Sequence, residues 1–428
     1  MDVIIREAQL RKQHGTFDIG IENGKFVAIE RQLDATANTE IHAQGHLVSP
    51  PFIDPHLHLD AALTVGRPKY NESGTLLEGI KIWGDLKGTL TKESIKAHAI
   101  EAIKWSVAHG TLKIRTHADT TDPSLLTVKA LVEVKNELRD LVDIQIVAFP
   151  QDGIFTDPQS ANLMKEAIAI GADVIGGIPH NEFTREDGIQ DVEYVFELAR
   201  EHDCLVDIHV DETGDDQSRF VEVMAKQTII HNMQGKVTAS HTTAMHNYNN
   251  DYALKLMGIL KRAGMNMITN PFDNSVLQNR TDGYPRRRGH TRVDELLEHG
   301  INVCIGHDSI MDPWYPMGKG SMLQAANLLL HTAHMSGYEQ IYELFDMITI
   351  NSAKTLDVES TYGIDIGKPA DVIILDAPDE MEAIRLMSEC LTVIRRGHIV
   401  CETTPAMRRL HMNAQQELID CKVMRKEQ

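Results

Sequence analysis

The sequence predicts an α/β protein, namely a (β/α)₈ TIM barrel with a small β-sandwich domain formed by the N- and C-terminal segments. Three observations support this fold class. Short apolar runs recur about every 30 residues through the middle of the chain, amphipathic segments separate them, and both ends of the chain are strand-like. The length of 428 residues suits one large barrel with an appended domain, because a single small core cannot organise so long a chain.

The small β domain is predicted from the two ends of the chain. Residues 2–5 and 17–29 read as strands, and the pair Asn23-Gly24 is typical of a hairpin turn. Residues 370–377 and 391–402 show the same pattern near the C-terminus. The remaining tail is polar and is predicted to be helical in part. The predicted boundaries are 1–48 for the N-terminal part of the β domain, 49–358 for the barrel, and 359–428 for the C-terminal part with its tail.

Eight apolar runs in the middle of the chain are predicted to be the barrel strands. They begin near residues 52, 113, 144, 173, 205, 237, 266 and 302, so that after a first gap of 61 residues their spacing is 29 to 36 residues. Between them, segments such as 124–141 and 186–202 carry apolar residues at helical spacing. A doubly wound open sheet is the competing fold, but no G-x-G-x-x-G motif follows the first run. Repeated strand-and-helix units favour the barrel.

The charge and the cysteine content disfavour several classes of protein. The 62 acidic residues outnumber the 42 Lys and Arg residues, and the resulting net charge of −20 repels the phosphates of a nucleic-acid polymer. The five cysteines are scattered with no C-x-x-C pair, so we expect no disulfide framework and a cytoplasmic protein. No apolar run is long enough for a signal peptide or a membrane span. A small neutral substrate is compatible with all of these features.

Polar side chains with ligand or acid–base chemistry collect at the ends of the apolar runs, where barrel enzymes carry their active sites. They are His56, His58, His117, Gln151, His180, His209, Glu212, His241, Asn270, His307 and Asp308. The pair His56 and His58 is the sharpest signal, because residues i and i+2 of a strand face the same side and two buried imidazoles need a binding partner. An imidazole-rich site with one carboxylate suits Zn²⁺ or Fe²⁺. The residues alone leave His117, His180 and His307 open between ligand and core histidine.

The long first gap, residues 59–112, is rich in glycine and polar residues. Because a long first loop of a barrel usually lies near the active-site face, we expect it to border the site. A solvent-exposed insertion is the alternative.

Five segments carry a resemblance to a known family. They are PPFIDPHLHLD, AFPQDGI, DIHVDETGDDQSRF, TASHTTAMH and GHDSIMDPWYP. In this order and spacing they resemble the bacterial cytosine deaminases of the amidohydrolase superfamily, and the resemblance covers nearly the whole chain. It implies one divalent metal ion, Zn or Fe(II), with His56, His58, His209 and Asp308 as ligands, and Asp308 would also carry protons during catalysis.

The same resemblance implies roles for further side chains. Glu212 matches the family's proton-shuttling glutamate, and His241 matches the histidine beside the attacking water. Gln151 matches the glutamine that pairs with a pyrimidine ring, and Phe149 and Trp314 match apolar walls of the pocket. The implied reaction is hydrolytic deamination of a free cytosine-type base by hydroxide that the metal ion supplies, with release of ammonia.

Ser309 departs from the family pattern, in which a second aspartate usually follows the metal-binding one. A smaller, neutral serine leaves room for a substituent at ring position 5, and burying a methyl group adds about 0.8 kcal/mol. We therefore expect 5-methylcytosine, giving thymine, to be favoured, with cytosine to uracil also expected. The alternative is that Ser309 has no effect and cytosine is the substrate.

Other reactions and other classes of protein stay open at this stage. A deaminase of isoguanine or creatinine is the alternative within enzymes, and a non-catalytic base-binding protein is the alternative outside them. The fourth run, DVIGGIPH, has no lysine to bridge two metal ions, which favours one. The H-x-E pattern at residues 180–182 lacks the P-C-x-x-C that follows it in the unrelated zinc deaminases. The expected partner is a small-molecule nucleobase, with no nucleic-acid polymer and no membrane; a homo-oligomer is expected only by analogy with related barrels.

Overall fold

The N-terminal segment consists of short strands. In a computed structural model, which describes residues 1–412 and 415–423, they are β1 (Val3–Leu10), β2 (Thr16–Glu22), β3 (Lys25–Glu30), β4 (Thr39–His42) and β5 (Leu47–Ser49). Asn23 and Gly24 join β2 to β3 with positive φ angles of 50° and 71°, which suit a two-residue hairpin turn. The hairpin predicted at these two residues is confirmed.

Eight parallel strands follow and form the barrel. They are β6 (Phe52–Leu57), β7 (Thr111–Asp119), β8 (Asp143–Phe149), β9 (Val174–Ile175), β10 (Leu205–Val210), β11 (Val237–His241), β12 (Asn266–Thr269) and β13 (Asn302–Ile305). They pair side by side in sequence order, and a parallel bridge between Leu57 and Asp308 joins the first strand to the chain that leaves the last. Each predicted apolar run is therefore a strand, and the predicted (β/α)₈ barrel is confirmed.

Helices between these strands and after the last of them surround the barrel. They are α1 (Leu76–Lys87), α2 (Lys92–Ala108), α3 (Leu126–Glu137), α4 (Ser160–Ile170), α5 (Arg185–His202), α6 (Phe220–Ile230), α7 (Asn250–Ala263), α8 (Pro271–Leu277), α9 (Val293–Glu298), α10 (Met322–Thr332), α11 (Tyr338–Met347) and α12 (Ile350–Thr355). Local sequence sets several of their starts: Thr91 and Thr184 begin α2 and α5 with capping boxes. Within the part of the chain that the structure describes, no helix combines the length and the apolar character needed to cross a bilayer.

The C-terminal segment returns to the N-terminal strands. It contributes β14 (Val372–Leu375), α13 (Glu380–Leu386), β15 (Cys390–Arg395) and β16 (His398–Glu402). The resulting sheet has the order β16-β15-β14-β5-β1-β2-β3, with β4 beside β1. A bridge between Lys25 and Pro369 curls this sheet back on itself around apolar residues of both ends, among them Ile19, Val48 and Ile374. The extra β domain built from both ends of the chain is confirmed, whereas its boundaries at 48 and 358 stay predictions.

The tail differs from its prediction. It forms a hairpin of β17 (Arg408–Met412) and β18 (Gln415–Ile419), whose side chains are exposed. The expected partial helix is wrong for the described residues up to 423, because the tail has no apolar face at helical spacing to pack on the domain and its backbone groups pair across the hairpin instead.

Candidate active site

Closure of the barrel brings the two ends of the predicted ligand set together. His56 lies at the end of β6 and His58 just beyond it, and their backbones bond to residue 308: Asp308 N donates to His56 O at 2.8 Å, and His58 N donates to Asp308 O at 2.9 Å. The side chains then meet, with Asp308 Oδ1 at 3.4 Å from His56 Nε2 and 3.5 Å from His58 Nε2. All three side chains are buried.

Two further histidines complete a group of four imidazoles. His209, at the end of β10, places its Nε2 at 3.2 Å from His58 Nε2, and the ring of His117 from β7 lies 4.1 Å from that of His56 between centroids. One ring nitrogen from each of the four imidazoles lies within 4.8 Å of the others. The structure thus brings the four sequence-predicted ligands together and adds His117, whose role the residues alone had left open.

The chemistry of this group fits one divalent metal ion. Several ring nitrogens, including His56 Nε2, His209 Nδ1 and both nitrogens of His117, are buried without a hydrogen-bond partner among the described residues. Burial lowers the pKa of His56 and His209 well below the ordinary value, and neighbouring imidazoles lower it further. The rings are therefore neutral and offer lone pairs, which is the form that binds a metal. The cluster of His residues with one Asp suits a single ion.

A buried polar line holds His56 from behind. Its Nδ1 lies 3.0 Å from Ser240 Oγ, which donates to Asp207 Oδ1 at 2.6 Å. Arg115 Nη1 donates to Asp207 Oδ2 at 2.9 Å, and both side chains are fully buried. Such outer partners fix the tautomer and the orientation of a ligand imidazole. Our sequence analysis missed these three residues, although an Arg or Asp interrupting an apolar barrel strand is a signal that could have found them.

Glu212 and His241 lie beside the candidate ligands. Glu212 Oε1 lies 3.6 Å from His241 Nδ1 and accepts a hydrogen bond from Gln278 Nε2 at 3.1 Å. Burial raises the pKa of Glu212 to about 8. His241 is also held by Asn274, whose Nδ2 lies 3.0 Å from its Nδ1. His241 and Asp308 both take a φ of 71°, a costly conformation for non-glycine residues that is typical of functional sites.

One cavity of about 640 Å³ opens onto these groups. The predicted substrate contacts Phe149, Gln151, Ser309 and Trp314 all line it, together with Glu212, His241 and Asp308. Phe149 stacks on His209 with ring centroids 4.1 Å apart. A partly apolar cavity with an aromatic wall beside the ligands is a suitable site for an aromatic ring.

The long first gap of the barrel closes one side of this cavity. Helix α1 contributes Leu76, Leu77 and Ile80 to the lining. Gly79 packs so closely on the cavity wall that a Cβ atom there would lie 2.5 Å from Trp314 Cδ1. The expectation that residues 59–112 border the site is confirmed for this helix.

Two histidines whose role the sequence left open do not join the metal-ligand group. His307 is a structural residue: its Nδ1 lies 2.9 Å from Ser309 O, and its Nε2 accepts from Gly320 N at 3.1 Å. His180 lines the cavity but lies outside the four-imidazole group. Burial lowers the pKa of both rings to about 4, so both are neutral at pH 7.

The sequence profile of the Amidohydrolase family matches residues 39–401. The chain belongs to the amidohydrolase family. This amidohydrolase is 33% identical over 410 residues to the N-isopropylammelide isopropyl amidohydrolase of Pseudomonas sp. strain ADP. The aligned region covers 93% of this chain and 97% of that protein. It is also 25% identical over 368 residues to a pterin deaminase of Rhizobium rhizogenes, over 85% of this chain and 83% of that protein.

Solved structures point the same way. A 5-methylcytosine deaminase from Klebsiella pneumoniae, liganded with phosphonocytosine, is 45% identical to this amidohydrolase with a TM-score of 0.92, over 95% of this chain and 99% of that one. An N-isopropylammelide isopropylaminohydrolase from Burkholderia multivorans is 25% identical with a TM-score of 0.82, over 94% and 99%. The resemblance to cytosine deaminases of this superfamily is confirmed, and this amidohydrolase is a hydrolase that acts on C–N bonds.

Proposed function

We propose that this amidohydrolase deaminates free 5-methylcytosine to thymine and accepts cytosine as a second substrate. The observation that carries the proposal is one cavity that joins a His and Asp metal-ligand cluster, a carboxyl group with a raised pKa at Glu212, and a side-chain amide at Gln151. The 45% identity to a 5-methylcytosine deaminase over nearly the full length supports the same substrate class.

We assign the metal site to His56, His58, His209 and Asp308, with His117 beside them. Zn²⁺ and Fe²⁺ both suit neutral imidazoles with one carboxylate. A divalent ion bound there would supply hydroxide near neutral pH, because it would lower the pKa of water.

The protein side chains then divide the remaining work. The amide of Gln151 offers one donor and one acceptor, which match the C2 carbonyl and the N1–H group of the base. Glu212, protonated at pH 7, donates its proton to ring nitrogen N3 and so makes C4 electrophilic. His241 orients the attacking water.

Asp308 handles the second proton. Its Oδ2 lies 3.9 Å from His241 Nδ1, so it can accept the proton of the attacking water and pass it to the departing amine. The C4–O bond forms and the C4–N bond breaks. One proton of the water leaves with ammonia by way of Asp308, and the other returns to Glu212, so that a carbonyl remains at C4 and N3 keeps its proton.

Ser309 is the basis for the preference for the methylated base. It is buried beside Asp308 and lines the cavity. A methyl group packed there contributes about 0.8 kcal/mol, or about fourfold in kcat/KM. Replacement Ser309→Asp adds charge and bulk, so we expect it to lower turnover of 5-methylcytosine more than turnover of cytosine. The matched variant Ser309→Ala keeps the space and should keep the preference; equal losses on both bases in S309D would contradict this role.

A second candidate is the release of an alkylamine from an oxo-triazine ring, which the 33% identity to N-isopropylammelide isopropyl amidohydrolase favours. The deciding experiment measures ammonia from 5-methylcytosine, cytosine, isoguanine and creatinine, and isopropylamine from N-isopropylammelide, with the purified metal-loaded protein. The proposal expects the highest kcat/KM for 5-methylcytosine. A higher kcat/KM for N-isopropylammelide would favour the second candidate. Absence of ammonia release from both 5-methylcytosine and cytosine would refute the proposal.

A further inference from the structure

Asp273 is a buried carboxylate of the cavity that the proposed mechanism does not use. It lies on α8, just after β12, with 2% of its surface exposed. It lines the same cavity as Glu212 and Asp308. It is not a member of the metal-ligand groups found among the described residues.

Its two oxygens have unequal surroundings. Oδ1 accepts a hydrogen bond from Ser309 Oγ at 3.0 Å, whereas Oδ2 is buried with no hydrogen-bond partner in the described part of the chain. A carboxyl oxygen is costly to bury without a partner, and because Asp273 lines the cavity, a donor group of a bound ligand could supply that partner. His56 Nε2, in the group assigned to the metal, also lacks a hydrogen-bond partner among the described residues.

Asp273 has no local structural duty that would account for this burial. At the start of α8, the backbone N–H of Asn270 donates to Asn274 Oδ1 at 3.1 Å, so the side chain of Asp273 does not serve this N–H group. The nearby Asp312 differs, because its Oδ1 accepts hydrogen bonds from the backbone N–H groups of Trp314 and Tyr315. No Lys or Arg forms a salt bridge with Asp273 among residues 1–412 and 415–423.

The position of Asp273 selects one edge of the substrate. Its bond to Ser309 places it against the residue that follows Asp308, the group assigned to the C4 substituent. Gln151 is assigned to the C2 and N1 edge and Glu212 to N3, so the 4-amino group is the donor left for Asp273. Burial, and next the nearby Asp312, raise the pKa of Asp273, and an amino donor favours its ionised form. In that form a carboxylate only accepts hydrogen bonds, so it attracts an amino group and repels the carbonyl that replaces it in the product.

We propose that Asp273 accepts a hydrogen bond from the 4-amino group of the bound base, and that it thereby favours the amino-pyrimidine substrate over the oxo-pyrimidine product. This inference rests on the proposed function. It makes Asp273 a specificity-determining residue that also speeds product release, because thymine presents C4=O where cytosines present C4–NH₂.

The test is the Asp273→Asn variant, which keeps shape and removes charge. Steady-state kinetics give KM for 5-methylcytosine and the inhibition constant Ki of thymine, and metal content and Tm are recorded for each protein. We expect KM to rise while Ki stays constant or falls, so that the ratio Ki/KM drops at least tenfold, as for loss of a charge-assisted hydrogen bond. Asp251→Asn, the same change at an exposed site on α7, is the control.

Each outcome has a defined meaning. If KM and Ki rise together, Asp273 has a packing role and the inference is overturned. If the wild type releases no ammonia, the proposed function fails, but the Kd values of cytosine and uracil measured by calorimetry still decide whether Asp273 selects an amino group. If D273N does not fold, Ser309→Ala frees Asp273 Oδ1 without removing its charge, and an unchanged Ki/KM ratio in S309A would then overturn the inference.

Discussion

The Glu212→Gln variant tests two properties of Glu212: its role as the general acid, and the effect of its burial on the free energy of unfolding. Burial raises the pKa of Glu212 to about 8 from the ordinary 4.5. Gln278 Nε2 donates to its Oε1 at 3.1 Å, and a glutamine at 212 keeps an oxygen for that bond and nearly the same volume. The variant therefore removes one ionisable proton and little else.

The activity of this variant should fall sharply. Loss of a positioned general acid costs about 10²–10⁴ in rate, so we expect kcat to drop by that factor while KM changes little. In the wild type, Glu212 loses its proton as pH rises through about 8, so kcat/KM should decline there and the variant should lack this limb. The assay is ammonia release from 5-methylcytosine on both sides of that pH.

The same variant should be more stable than the wild type at high pH. Between the ordinary pKa of 4.5 and about 8, the folded metal-free protein holds a proton that the unfolded chain has released, so the free energy of unfolding falls as pH increases. Integrated over this range at roughly 1.4 kcal/mol per pH unit, the penalty reaches about 5 kcal/mol. A neutral glutamine carries no such penalty.

Urea unfolding of the metal-free proteins measures this difference. The free energy of unfolding of E212Q should equal that of the wild type near pH 4.5. It should exceed the wild-type value increasingly as the pH approaches about 8, by up to about 5 kcal/mol. Groups that titrate in both proteins cancel in the comparison. A stability gain that does not depend on pH, or a loss in kcat below tenfold, would refute the assignment of a buried, protonated acid to Glu212.

Three further predictions follow from the same geometry. Ser240→Ala breaks the line behind His56 and should weaken metal affinity about 10–100-fold in a chelator competition, with Ser240→Thr as the hydroxyl-retaining control; equal affinities in both variants would argue against the line. Gly79→Ala forces a Cβ to within 2.5 Å of Trp314 Cδ1, so the wall must move and kcat/KM should fall, and unchanged kinetics would show that Trp314 does not contact the base. Chelation should abolish ammonia release and lower Tm, with both restored by added Zn²⁺ or Fe²⁺; activity that survives a verified loss of metal would contradict the metal assignment.

Much of the fold could be read from the sequence because it depends on local patterns. The eight strands follow from apolar runs at regular spacing, and the hairpin at Asn23-Gly24 follows from two residues that tolerate positive φ. Where no such pattern existed, the reading failed: the polar tail was expected to be partly helical, but residues 408–412 and 415–419 pair as a hairpin.

The site was predictable to the extent that its residues sit at strand ends. His56 and His58 are two apart in one strand, so the sequence alone puts them on one face, and His209 and Glu212 lie three apart at the end of another. Asp308, His241 and Gln151 were strand-end candidates whose roles came from the family resemblance, and all three line one cavity.

Only the tertiary structure decided which other buried polar residues face this cluster. His117 and His307 look alike in the sequence, yet one turns its ring to the four-imidazole group and the other bonds to Gly320 and Ser309. The contact of Asp273 with Ser309 spans 36 residues. Strand periodicity determines which face of a strand a side chain occupies. Contacts between distant segments depend in addition on how the barrel closes and on how the side chains pack inside it.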